Sequence, residues 1–352
     1  MSPISVIAHI NAVGTAVPDQ DIHQAFIGWA RAQLADPREV KLFDRMAQRS
    51  GIARRWSVLP HEIGSPVEPG GFYAAQWPTT AQRMAIYGDA APALAERAVE
   101  ALATQVPMDG ITHLVVASCT GFVAPGVDQI LAHRIGLSPS VERLLVGYMG
   151  CYAAVAALRS ARHIVRSEPQ ARVLVVCVEL STLHLQAETA LEPLLAMLQF
   201  GDGAAAALVT AEARGLAITS PFSATLPTSG DLIRWDLGDH GFTMHLSGEV
   251  PGAIAAALAD PALLPVDPAI VDRWAVHAGG RSILDAVSHA LALPGDALDD
   301  SRAVLDAFGN MSSATLMFVL ARVLAGSPPS KGVALAFGPG LAAEGFCFSG
   351  AA

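Results

Sequence analysis

Short apolar runs alternate with longer amphipathic stretches along this chain. The segments 111–117, 144–146, 173–178 and 333–337 are almost continuously apolar. That is the pattern of strands covered on both faces. Between them, residues 79–103, 153–165, 280–293 and 311–324 carry apolar side chains at helical spacing. Two further helices are predicted near the start, over 21–35 and 38–51. Asp21 stands as a cap for the first, and Pro37 lies just beyond its end. Strands and helices in alternation predict an α/β protein with sheets sandwiched between helices.

The pattern repeats. Residues 111–121 read as a strand ending in a polar corner, Ser118-Cys119-Thr120-Gly121, and residues 271–280 do the same with His277-Ala278-Gly279-Gly280. From Cys119 to Cys151 is 32 positions, and from His277 to Asn310 is 33. From Cys151 to Cys177 is 26, as it is from Asn310 to Ala336. Gly150-Cys151 and Gly309-Asn310 each open an apolar helix. A shared strand–helix–strand rhythm predicts two similar subdomains, 1–214 and 215–352, whose matching helix starts converge on one site. Cys151 then comes from the first half, and His277 and Asn310 from the second.

Cys151 is the centre of this reading. It falls where the buried strand 144–146 hands over to a helix, beside free backbone N–H groups and the positive end of the helix dipole. A thiol so placed is expected to have a lowered pKa and to act as a thiolate nucleophile. The competing reading is an inert cysteine in a core helix.

Composition narrows the field. Of 352 residues, 52% are hydrophobic and 15% charged, and mean hydropathy is +0.41. So apolar a chain predicts a large core and an oligomer that hides more surface. The uncharged apolar stretch 307–321 contains Gly309, Asn310 and two serines and falls short of a span, so no membrane insertion is expected. A formal net charge of −10 argues against nucleic acid as a partner. No Lys or Arg precedes Arg31, so a basic secretory start is missing. Four scattered cysteines without a Cys-x-x-Cys pair predict neither a disulfide framework nor a zinc site and fit a reducing cytoplasm. Arg45, Arg49, Arg54 and Arg55 form the densest basic group. They suit the phosphates of a coenzyme A thioester, or a solvated helix face.

The motifs stand in a telling order: Ser118-Cys119-Thr120-Gly121, Gly150-Cys151, Phe200-Gly201-Asp202-Gly203, Gly238-Asp239-His240-Gly241-Phe242, His277-Ala278-Gly279-Gly280, Gly309-Asn310-Met311-Ser312-Ser313 and Phe337-Gly338-Pro339-Gly340. In this the chain resembles the type III polyketide synthases, the chalcone-synthase-like family of the thiolase superfamily, over nearly its whole length. The resemblance implies a thiolase-like α/β fold, with two duplicated βαβ-rich subdomains in a five-layered αβαβα arrangement, and a homodimer whose 122–126 turn reaches the neighbouring cavity. It implies Cys151, His277 and Asn310 as catalytic residues. Cys119, Ser181, His184, Phe200, Met244, Ser312, Phe337, Gly338 and Pro339 would line the substrate pocket, and Arg45 and Arg49 would grip CoA. Cys119 could be a second reactive thiol or a small lining group, and His184 a pocket residue or a structural one. The chain departs from the family in three places: Met244 stands where plant members have Phe, Ala278 where Pro is usual, and Ala336 where Gly is usual. The first is compatible with a longer or more pliable starter.

The implied chemistry is thiol acylation by an acyl-CoA starter, repeated decarboxylative condensation with malonyl-CoA, and cyclisation to a pyrone, resorcinol or related ring. A thiolate suits exchange with a thioester. His277 and Asn310 would stabilise the enolate oxygen. No metal or other cofactor is expected. The alternatives are a single-round condensing enzyme like ketoacyl synthase III, and a non-catalytic acyl-CoA-binding protein.

Overall fold

The structure is a computed structural model that describes residues 6–59, 66–74 and 76–351. In chain order the strands are β1 (His9–Ala16), β2 (Gln20–Asp21), β3 (Trp56–Ser57), β4 (His113–Ser118), β5 (Glu142–Gly147), β6 (Val173–Leu180), β7 (Asp202–Thr210), β8 (Leu216–Thr225), β9 (Ile233–Gly238), β10 (Gly241–Leu246), β11 (Arg273–Val276), β12 (Gly332–Gly338) and β13 (Ala342–Gly350). The helices are α1 (His23–Gln33), α2 (Pro37–Gln48), α3 (Thr80–Ala103), α4 (Val127–Arg134), α5 (Ala153–Ser167), α6 (Leu191–Met197), α7 (Val250–Leu258), α8 (Arg281–Ala290), α9 (Asp299–Phe308) and α10 (Ser313–Ala325).

One sheet runs β11-β12-β13-β8-β1-β7-β6-β4-β5. β4 is parallel to β6, which continues antiparallel through β7 and β1. β11 is parallel to β12, which continues antiparallel through β13 and β8. The predicted repeat is thus visible as topology, with β5 the first half's additional strand. Among the described residues the two halves pair edge to edge at His9↔Ala217 and Ile10↔Leu216, and Ile218 N donates to the Ala8 carbonyl at 2.8 Å.

Why the strand sequences are apolar on both faces follows from the layers. In β6, Val173, Val175 and Cys177 face a central cluster, and Leu174, Val176 and Val178 face an outer one. In β12, Ala334 and Ala336 face the same central cluster, and Val333, Leu335 and Phe337 a third. The central layer holds α5 and α10 between the two parts of the sheet. α3 and α4 cover one outer face and α7, α8 and α9 the other, which gives the α–β–α–β–α stack. Close approach in the middle depends on small side chains: Ala153, Ala154, Ala157 and Ala161 of α5 and Ala205 and Ala207 of β7 are fully buried there.

The predicted helices form with shifted ends. α3 starts where expected because Thr79 and Gln82 make a reciprocal capping box. α1 starts at His23 rather than Asp21, because Asp21 pairs with Trp56 in the β2–β3 ladder while its Oδ1 accepts from His23 N at 3.0 Å. The strand 144–146, expected to be buried, is a correction. It lies within β5, the outermost strand with only β4 beside it, and Leu144 and Leu145 are 44% and 47% exposed. An apolar run cannot reveal whether its cover comes from the same chain. Among the described residues, no helix is long and apolar enough to cross a membrane.

The tight central layer is testable. Ala205, fully buried between Thr15 and Cys177 on the neighbouring strands, has no room for three more carbons. Ala205→Leu should destabilise by about 1–3 kcal/mol through overpacking. Urea unfolding should show this as a lower midpoint with an unchanged slope.

Candidate active site

Three polar groups reach the seam between the halves, each delivered by a different local device. After β5 the chain turns sharply through Tyr148 and Gly150, with φ of 59° and 68°. A single 3-10 turn, Gly150–Tyr152, then carries Cys151 into α5. Gly150 is required here. Its backbone is left-handed, and a Cβ would sit 2.6 Å from the Pro339 ring.

His277 follows directly on β11, where its N–H donates to the Leu335 carbonyl at 2.8 Å. Its ring is buried, and among the described residues neither Nδ1 nor Nε2 has a hydrogen-bond partner.

Asn310 is held from both sides. Its N–H donates to the Gln199 carbonyl at 2.8 Å, and its own carbonyl accepts from Gly201 N at 3.0 Å. Its side-chain Oδ1 accepts from Ser312 N at 2.8 Å, and Nδ2 donates to the Gly279 carbonyl at 3.1 Å. These bonds fix which end of the amide is which. Nδ2 has a second hydrogen to offer. Gly309, at φ 68°, lets the chain pass where a Cβ would meet Arg55 and the Gln199 carbonyl. Ser312 carries the strain of this turn, at φ 48° and fully buried.

Cys151, His277 and Asn310 line one cavity of about 760 Å³, together with Phe200, Met244 and Phe337. Arg45 and Arg49 border the same cavity, exposed to solvent. So does Arg281, which the sequence reading missed. It is the first residue of α8. Arg55, left open by sequence, is no surface cation. It is buried, its Nη1 donates to the carbonyls of Phe200 at 2.7 Å and Met197 at 3.1 Å, and its guanidinium lies 4.5 Å from the Phe26 ring centre. Its work is to brace Phe200.

Phe200 and Met244 also border a second, narrower cavity of about 90 Å³. Cys119, Ser181 and His184 lie on it. Gly338, Pro339 and Ser312 border neither cavity. The first two pack instead against the nucleophile's turn: a Cβ on Gly338 would come 2.7 Å from the Tyr152 ring, and Tyr152 Oη donates to the Pro339 carbonyl at 3.2 Å.

Two expected pocket residues have their polar atoms engaged by the protein. Phe242 N donates to His184 Nδ1 at 3.1 Å, so Nε2 carries the hydrogen and donates to the Thr120 carbonyl at 2.6 Å. Burial pulls this imidazole down to about 4, and it stacks on Phe242 at 4.1 Å. His184 borders the cavity as a strut. Cys119 Sγ donates to Glu179 Oε1 at 3.1 Å. Burial and the neighbouring carboxylate push that thiol well above its ordinary range. Glu179 itself was overlooked in the sequence. It is fully buried, which raises its pKa, while donors from Cys119 N, Cys119 Sγ, Thr120 Oγ1 and Ser313 Oγ stabilise its ionised form. An acid closing the apolar run Val173-Leu174-Val175-Val176-Cys177-Val178 was the available signal.

The electrostatics of the nucleophile differ from expectation. Burial pushes the Cys151 thiol up to about 12, against hydrogen bonds from Ser312, Asn310 and its own N–H that favour the thiolate. Burial alone takes His277 down to about 3. Burial thus disfavours a thiolate on Cys151 and an imidazolium on His277 when either stands alone.

This fold and this site define a thiolase-like condensing enzyme. Residues 5–213 match the family of chalcone and stilbene synthases, N-terminal domain, and residues 217–351 match its C-terminal domain. The α-pyrone synthesis polyketide synthase-like Pks18 of Mycobacterium tuberculosis is 32% identical across 99% of this chain and 92% of its own length. Among solved structures, PKS-I of the brown alga Ectocarpus siliculosus superposes with a TM-score of 0.90, at 29% identity over 99% of this chain and 100% of that one. The C-terminal type III polyketide synthase domain of Steely1 from Dictyostelium gives 0.88, at 26% identity over 98% and 100%. The chain belongs to the chalcone and stilbene synthase family, and it is a type III polyketide synthase, an acyltransferase acting with CoA thioesters.

If His277 is the acceptor of the Cys151 proton, its removal leaves the buried thiol without a base to take that proton, and burial already holds that thiol high. His277→Ala should slow iodoacetamide alkylation of Cys151 at pH 7 by about tenfold or more, with the pH profile displaced to the alkaline side. Peptide mass mapping reads this, and an unchanged profile would remove His277 from the role.

Proposed function

We propose that Cys151 is the nucleophile that carries the growing chain, with His277 and Asn310 as its partners, one residue from the first half (1–214) and two from the second (215–352). The observation that supports this reading is the shared cavity, lined by a thiol, an imidazole whose nitrogens have no partner among the described residues, and an oriented carboxamide. His277 accepts the thiol proton, and Sγ attacks the thioester carbon of the starter acyl-CoA. The CoA thiolate leaves and takes up the proton. Malonyl-CoA then loses carbon dioxide, and the electron pair of the broken C–C bond becomes an enolate. A His277 N–H and the second Nδ2 hydrogen of Asn310 receive the enolate oxygen. Its carbon attacks the acyl group on Cys151, the C–S bond breaks, and a β-ketoacyl-CoA results. Reloading on Cys151 repeats the cycle. No metal or other cofactor enters these steps.

Arg45 and Arg49 are placed to hold CoA phosphates by charge-assisted hydrogen bonds. They sit on and just after α2 at the cavity's edge, beside the exposed apolar side chains of Leu42 and Met46. The narrow cavity beyond Phe200 and Met244 is lined largely by apolar groups such as Ile22, Phe26 and Leu59, which favours a slender aliphatic acyl starter. The mycobacterial relative is named for α-pyrone synthesis, and we assign the same ring here. The enol oxygen of a triketide attacks its own thioester carbon, the C–S bond breaks, and Cys151 recovers its proton.

The exposed edge is assigned to a second copy of the chain. Leu144, Leu145 and Tyr148 of the β5 region and Phe122 of the 122–126 turn are 44–69% exposed. So large an apolar patch on an edge strand calls for cover. The unpaired cysteines fit a reducing cytoplasm.

Cys151→Ser should abolish acyl-enzyme formation with acyl-CoA, read by intact-protein mass, together with all pyrone product. Asn310→Ala should still load starter but lower kcat about 100-fold or more, as removal of an oxyanion donor does. Loading by Cys151→Ser at the wild-type rate would end this reading. For the assembly, Leu144→Asp with Leu145→Asp should halve the mass seen in light scattering, and a monomeric wild type would overturn the dimer.

A further inference from the structure

One buried donor near the nucleophile has no acceptor. Trp235 lies in β9, directly across from Met244 of β10. Its Cζ2 is 3.7 Å from the point a Cβ on Gly150 would occupy, so the indole stands over the turn that carries Cys151. The ring borders the narrow cavity with Cys119, Thr120 and Ser181. Its Nε1 is buried and makes no hydrogen bond among the described residues. Trp56, by contrast, donates its Nε1–H to the Ala307 carbonyl at 3.0 Å. Buried donors are nearly always satisfied, and an exception needs a reason.

An indole N–H can only donate, so whatever completes it must bring an acceptor. A saturated acyl chain on Cys151 brings none beyond its thioester carbonyl. Each condensation adds a keto group at the third carbon from the sulfur. We propose that Trp235 is a specificity-determining residue whose indole N–H receives the keto oxygen of the once-extended chain on Cys151. The contact distinguishes an extended chain from a bare starter and holds it for the next condensation. This inference rests on Cys151 as the acyl carrier, proposed above, and adds the residue that reads what is loaded there.

The test compares two four-carbon acyl groups that differ in one carbonyl. Wild-type protein labelled with 15N-tryptophan shows an indole resonance for each of its five tryptophans. Trp235→Phe identifies the one of interest. Should that variant not fold, removing Trp29, Trp56, Trp77 and Trp274 in turn identifies it by elimination. The protein is then loaded with acetoacetyl-CoA or with butyryl-CoA, and intact mass confirms each adduct on Cys151. The Trp235 indole proton should move downfield with the acetoacetyl group and stay in place with the butyryl group. Equal movement with both adducts, or none with either, overturns the proposal while leaving Cys151 as carrier intact. Absence of both adducts overturns the carrier reading and this one with it. In turnover, Trp235→Phe should lower the ratio of triketide to diketide products roughly tenfold, the value of one hydrogen bond. An unchanged ratio counts against the proposal.

Discussion

A reciprocal pair of backbone hydrogen bonds holds the site together. Asn310 N donates to the Gln199 carbonyl, and Gly201 N donates to the Asn310 carbonyl. The segment before β7 belongs to the first half and the turn before α10 to the second, so these two bonds tie the halves together beside the cavity that Cys151, His277 and Asn310 line. Phe200 lies between the two tied residues and opposite Asn310. The residue that divides the two cavities and the residue that offers the amide are therefore positioned by one clamp. Arg55 completes it from behind, with its guanidinium on the Phe200 carbonyl and its stem against Gly309. An arginine is costly to bury, and here its donors satisfy carbonyls that a tight turn would otherwise strand.

The clamp belongs to a site that is both buried and polar. Cys151, His277 and Asn310 are buried, with Phe200, Met244 and Phe337 beside them on the cavity wall and the Gly338-Pro339 turn packed against the turn that carries Cys151. In such surroundings isolated charge is expensive, which pushes the thiol up and the imidazole down. The same surroundings strengthen any hydrogen bond to a developing oxyanion.

Much of this was legible in the sequence, for identifiable reasons. The 26-residue spacings from Cys151 to Cys177 and from Asn310 to Ala336 reflect one helix and one return to the sheet in each half, a length set by packing geometry. Apolar runs predicted strands because the layers bury both faces of the sheet. What sequence could not show was direction and company. Leu144 and Leu145 look like core until the strand proves to be an edge. Arg55 looks like its neighbour Arg54 until the chain folds it inward. The helix-start position of Cys151 promised a low pKa, but the depth of the pocket, invisible in one dimension, outweighs the local dipole. His184 and Glu179 become intelligible only through partners 64 and 60 positions away.

The duplication is incomplete, and the asymmetry has a use. The first half ends in β5, which the second half lacks; the second half ends in β11, four residues long, with Trp274, Ala275 and Val276 buried. Among the described residues, β5 exposes Leu144 and Leu145, whereas these three residues of β11 are buried. A surface that meets its own copy about a two-fold axis is used up in one step, whereas two unlike adhesive rims could add copies without limit.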